Sequence, residues 1–139
     1  MASIIASPSR YIQGKGEIKN LCTYAENYGS NLFVLTSPSG RKRVEPSITE
    51  GQKDAKITYE AFNGECCMTE INRVMDMCEK AGSEVIVGIG GGKIHDTAKA
   101  VAYYMKKPVI IVPTIASTDA PCSALSVIYT DDGVFEKYL

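Results

Sequence analysis

Val85-Ile86-Val87-Gly88-Ile89-Gly90-Gly91-Gly92-Lys93-Ile94-His95-Asp96-Thr97-Ala98-Lys99-Ala100 is the stretch whose reading decides the fold. It opens on a run that is apolar on both faces, the mark of a strand buried inside a parallel sheet. Ala98, Val101, Ala102 and Met105 then recur at helical spacing. A glycine-rich turn between a strand and a helix has a specific use. Glycine lets the backbone approach a phosphate closely, and the helix behind it offers free N–H groups and the positive end of its dipole. Lys93 adds a point charge, so the stretch predicts a diphosphate site; a turn serving only tight strand–helix packing is the plainer alternative. It is not a Walker A loop, which would need glycine at Val87 and a hydroxyl at Ile94. Nor is it the usual dinucleotide fingerprint, because Lys93 stands in place of the third glycine.

Outward from the turn, strands and helices alternate. Upstream, Ile71, Val74, Met75 and Cys78 mark a helix, with Thr69 near its start and Gly82 past its end. Before it, Lys56 to Glu60 alternates like a strand and Leu32-Phe33-Val34-Leu35 reads as a buried one. Ile18, Leu21, Cys22 and Ala25 share a helical face, with Gly29 expected as its C-cap. Ser7-Pro8-Ser9-Arg10 reads as a turn, and Thr36 to Gly40 as a loop or helix entry. In Arg41 to Gly51, Pro46 argues against an uninterrupted helix, and Arg41, Lys42 and Arg43 are expected on a solvated loop. Downstream, Pro108 closes the helix after the turn, and Val109-Ile110-Ile111-Val112 is a further buried strand. Ser126 to Tyr129, Asp132-Gly133 and Val134-Phe135 predict a β-hairpin. The expected fold is α/β: a Rossmann-like, doubly wound, mostly parallel sheet with flanking helices and a C-terminal β-hairpin, in one domain over residues 1–139.

Composition excludes several classes. Net charge is −1, so no basic surface marks a nucleic acid or an anionic membrane as partner. No apolar run nears the roughly 20 residues of a membrane helix, and the first residues do not read as a signal peptide. The five cysteines, Cys22, Cys66, Cys67, Cys78 and Cys122, form no C-x-x-C pair. Reduced thiols and a cytoplasmic location are expected.

A second polar cluster follows the last buried strand. Pro113-Thr114-Ile115-Ala116-Ser117-Thr118-Asp119-Ala120-Pro121 crowds hydroxyls and a carboxylate at a strand's C-terminal end, where open α/β sheets bind ligands. A capped turn is the equal alternative. Asp96 is expected in the first helical turn, where an acid complements the dipole. His95, the only histidine, is expected to be solvated or merely near a ligand rather than catalytic.

Ile89-Gly90-Gly91-Gly92-Lys93 with Asp96, Ala98 and Lys99, then Pro113 to Pro121, then Ser123-Ala124-Leu125-Ser126-Val127-Ile128-Tyr129, closely resembles bacterial glycerol dehydrogenases of the iron-containing alcohol dehydrogenase superfamily. Ser7-Pro8, Tyr11 to Gly14 and Gly64-Glu65-Cys66 fit too. The resemblance implies an NAD-dependent oxidation of glycerol to dihydroxyacetone. It implies that Gly91, Gly92 and Lys93 meet the pyrophosphate, with Asp96 close by. Thr114 and Ser117 would line the cofactor cleft; Ser123, Leu125 and Tyr129 its nicotinamide end; and Asp119 would contact glycerol. A related 1,2-diol or polyol dehydrogenase and a nucleotide-binding module without chemistry are the rival readings.

Two departures from the family pattern matter. The family commonly has Asp at the end of its first strand, holding the adenosine ribose; here Ser37 stands there, which leaves NADP open beside NAD. The family's divalent metal, Zn or Fe, is held by one Asp and two His of a helical C-terminal domain, which does not occur before Leu139. The expectation is a chain that is inactive by itself, with no metal ligand of its own and with apolar surface that favours homo-oligomers.

Overall fold

The computed structural model describes Ile12, residues 16–113, and the backbone of 127–129 and 135–138. A 3-10 turn, Glu17–Asn20, leads into α1 (Leu21–Ala25), β1 (Asn31–Thr36), α2 (Pro38–Glu50), β2 (Lys56–Ala61), α3 (Met68–Ala81), β3 (Val85–Gly90), α4 (Gly92–Met105) and β4 (Val109–Pro113). β5 (Val127–Tyr129) and β6 (Phe135–Tyr138) pair antiparallel as the expected hairpin; its Asp132-Gly133 turn lies outside the described residues. The first four strands form one parallel sheet in the order β2-β1-β3-β4.

Strand alternation sorts the core into two layers. Leu32, Val34, Val85, Val87 and Ile89 pack with Leu21, Cys22, Ala25, Val44 and Ile48 of α1 and α2. Phe33, Leu35 and Ile86 face the other way, against α3 and α4 through Ile71, Val74, Cys78, Ile94, Ala98 and Val101. Both faces of the sheet are covered, so the apolar runs read from sequence needed no polar side. The sheet is doubly wound as expected. No helix among the described residues is long and apolar enough to cross a membrane.

Four expectations are corrected. α2 runs from Pro38 to Glu50 with Pro46 inside it. Pro46 lies on the exposed side, where water can take the carbonyl that loses its partner, while Gly40, Val44 and Ile48 bury the opposite face. Arg41, Lys42 and Arg43 are therefore on a helix, though exposed as expected. Gly29 is not a helix cap: α1 ends at Ala25, and a Cβ on Gly29 would stand 2.6 Å from the Cβ of Glu84. Asp96 is not in the first turn, because α4 already begins at Gly92. The cap read at Gly82 holds, with φ 66° at the end of α3. Cys22, Cys66, Cys67 and Cys78 are free thiols. The turn read at Ser7 to Arg10, and Cys122, lie outside the described residues.

Candidate dinucleotide site

β1 and β3 are neighbours, with Thr36 in register opposite Ile89. Beyond those residues the chain leaves β1 for α2 on one face and leaves β3 for α4 on the other. This is the switch point of the sheet, where the two exits diverge and leave a crevice at the strands' C-terminal ends. Ser37 lies on one side and the glycine turn on the other.

The glycines divide by role. A Cβ on Gly88 would stand 2.7 Å from that of Ala98, so this glycine brings α4 against β3. Gly90 has φ 150°, and a Cβ there would stand 2.6 Å from Cδ1 of Ile94. Both are explained by packing and conformation. Gly91 and Gly92 are not: among the described residues a Cβ on either meets nothing within 4 Å, and neither has a positive φ. What their lack of a side chain keeps open is the space in front of the helix.

The two helix starts at this edge also differ. Ser37 caps α2, its Oγ accepting the Gly40 N–H at 3.0 Å. At α4 the N-cap is Gly91, which has no side chain to accept from the first turn, and none among the described residues does so in its place. The first intrahelical bond runs from the His95 N–H to the Gly91 carbonyl at 3.0 Å. The N–H donors ahead of that bond have no intrahelical acceptor, as at any helix start, an arrangement suited to an anion. Lys93, exposed, places its Nζ 3.0 Å from Oε1 of Glu65 in the loop after β2. Glu65 appeared in the sequence only as part of a family resemblance. Nothing local links it to a residue so far along the chain; only the strand order brings their loops together.

His95 is buried, not solvated as expected: it is 1% exposed and its Nε2 lies 3.3 Å from the Val112 carbonyl. That contact requires the Nε2–H tautomer, which leaves Nδ1 an acceptor with no partner among the described residues. Burial, with a smaller contribution from Lys99, pushes the imidazole below its usual pKa. Lys99 is also buried, which lowers its pKa, while Asp96 works in the opposite direction. Asp96 is half-buried, and burial raises its carboxyl above the ordinary value against the pull of Lys99. Thr36, at the end of β1, keeps a buried Oγ1 without a partner among the described residues.

Thr114, Ser117, Asp119, Ser123 and Leu125 lie outside the described residues, and Tyr129 is described only as backbone of β5. The concavity lined by Cys22, Glu26, Gly29, Ser30 and residues 52–55 is at the opposite edge, near the starts of β1 and β2, and holds none of the predicted site residues. Among the described residues no three His, Cys, Asp or Glu side chains converge, and the single histidine spends Nε2 on a carbonyl. A dinucleotide fits better, because the open α4 start and the two unexplained glycines match a diphosphate.

Known proteins share this arrangement. The chain is 46% identical to a glycerol dehydrogenase of Citrobacter freundii, covering 100% of this chain and 39% of that protein. It is 49% identical to a glycerol dehydrogenase of Thermotoga maritima, covering 95% of this chain and 36% of that protein. A solved probable glycerol dehydrogenase from Sinorhizobium meliloti superposes with a TM-score of 0.79 at 43% identity, covering 99% of this chain and 38% of that one. The chain thus spans well under half the length of these relatives. The family model for iron-containing alcohol dehydrogenases matches residues 8–139. With that match, the parallel sheet and the open glycine turn at its switch point, the chain belongs to the iron-containing alcohol dehydrogenase family.

Proposed function

We propose that this chain is the dinucleotide-binding part of an NAD-dependent glycerol dehydrogenase, which interconverts glycerol and dihydroxyacetone. The observation that carries the reading is the start of α4: among the described residues no side chain caps it, and Gly91 and Gly92 leave space there that packing against those residues does not explain. The relatives named glycerol dehydrogenase support the substrate.

On this reading the backbone N–H groups at Gly91 and Gly92 hold the pyrophosphate, and Lys93 neutralises it. Asp96 lies one turn behind. Thr114 and Ser117 continue the cofactor cleft, Ser123, Leu125 and Tyr129 line the nicotinamide end, and Asp119 accepts hydrogen bonds from glycerol hydroxyls. A bound nicotinamide dinucleotide supplies the hydride acceptor. A divalent metal, when bound, would supply the Lewis acid that activates the alcohol.

The preference between NAD and NADP turns on Ser37. Its Oγ is committed to the Gly40 N–H, so the end of β1 carries no carboxylate to repel a 2′-phosphate. Arg41 is drawn to Glu45 at 2.9 Å and stacks over the Tyr59 ring at 4.5 Å, while Lys42 and Arg43 are exposed on the same helix. NAD is the expected cofactor, with NADP open beside it.

Calorimetric titration of NAD and of NADP into the purified chain tests this. NAD should bind, and Gly91→Val should abolish binding while leaving the circular dichroism spectrum unchanged. Absence of binding by both nucleotides would overturn the reading.

A further inference from the structure

The ion pair between Glu65 and Lys93 joins the loop after β2 to the first turn of α4, on either side of the exit of β1. Strand order is β2-β1-β3, Glu65 follows β2, and Lys93 follows β3. The loop that carries Glu65 is anchored. Glu70, 2% exposed near the start of α3, accepts the Asn63 N–H at 2.9 Å and two bonds from Arg73. Arg73 in turn donates to the Ala61 carbonyl at 3.0 Å and to Glu60 at 2.7 Å. Gly64, with φ 98°, then turns the chain outward. Glu65 is thus delivered from a fixed base to Lys93 at the helix start.

The pair itself is weak. Its side chains are 64% and 72% exposed, and an exposed ion pair contributes little in water. A diphosphate at the start of α4 carries more charge than one carboxylate and sits against the helix dipole. We propose that Glu65 is the resting counter-ion of Lys93, and that a bound diphosphate displaces it and takes the lysine. Glu65 therefore lowers the affinity for phosphate-bearing ligands by holding Lys93 until one arrives. The inference rests on the dinucleotide reading of the glycine turn.

The probes are ADP, which carries the diphosphate, and adenosine, which does not, titrated into the purified chain, Glu65→Gln, Lys93→Met and the double variant. Both side chains are exposed, so the fold should be retained, and circular dichroism checks it. Glu65→Gln should bind ADP about two- to fivefold more tightly, the scale of an exposed ion pair. Adenosine binding should not change, and the gain should vanish in the Lys93→Met background. Unchanged or weaker ADP binding by Glu65→Gln would overturn the latch while leaving the dinucleotide reading intact. A gain that persists without Lys93 would overturn it too, because general charge repulsion would then be the cause. Failure of ADP to bind any of the four proteins would overturn both.

Discussion

Gly88 and Ala98 meet so closely that a Cβ on the glycine would stand 2.7 Å from the alanine Cβ. The contact joins the middle of β3 to α4 inside the core and sets how near the glycine turn lies to the sheet. Gly88→Ala should overpack it and cost about 1–3 kcal/mol in denaturant unfolding. Gly91→Val, three residues on, has open space and an extended backbone at φ −98°, so its unfolding midpoint should match the parent's. Equal destabilisation by both would show that the turn serves packing alone.

His95 makes stability depend on pH. Its folded pKa lies below the ordinary 6.5, chiefly through burial and secondarily through Lys99. The unfolded chain therefore binds the proton first. The contribution is fully present above about pH 6.5 and is lost as pH falls through the lowered folded value. Melting temperature should drop between pH 7 and pH 5 by more in the parent than in His95→Gln, which keeps a donor toward Val112 without the titration. Parallel melting curves for the two would remove His95 as the cause.

Glu70 and Arg73 should be costly to separate. Glu70→Ala leaves the Asn63 N–H and two guanidinium donors without their acceptor. Arg73 is 34% exposed and can be partly rehydrated, so the loss should be roughly 2–4 kcal/mol rather than that of a fully buried pair. Glu70→Gln should lose less, because it keeps an acceptor. Chemical denaturation measures both, and a Glu70→Ala protein as stable as the parent would contradict the anchoring of this loop.

Pro46 should weaken α2. It removes one backbone donor and crowds the preceding turn, yet the helix persists because Val44 and Ile48 bury its other face. Pro46→Ala should stabilise the chain by about 1–3 kcal/mol in the same assay. A loss of stability would mean that the proline's rigidity in the unfolded chain outweighs its cost in the helix.

Local pattern made most of the elements legible. The apolar run at 85–89, the helical spacing of Ala98, Val101 and Met105, and Gly82 as a cap each depend on neighbours in the chain. Pro46 misled because the penalty of a helical proline is local, whereas the burial that offsets it comes from the sheet. Asp96 was misplaced by part of a turn because a helix that starts on glycine has no side-chain cap to mark its beginning.

That a glycine-rich turn joins a buried strand to a helix, and that strand and helix alternate, can be read from the residues alone, because periodicity is written residue by residue. Which glycines serve packing and which leave room for a ligand emerges from the folded layers, since that depends on what stands opposite each missing Cβ. Only the strand order β2-β1-β3-β4 set Ser37 beside the glycine turn and Glu65 against Lys93. It also buried His95 against Val112, as pairing between distant strands follows from how whole layers pack and not from any short stretch of sequence.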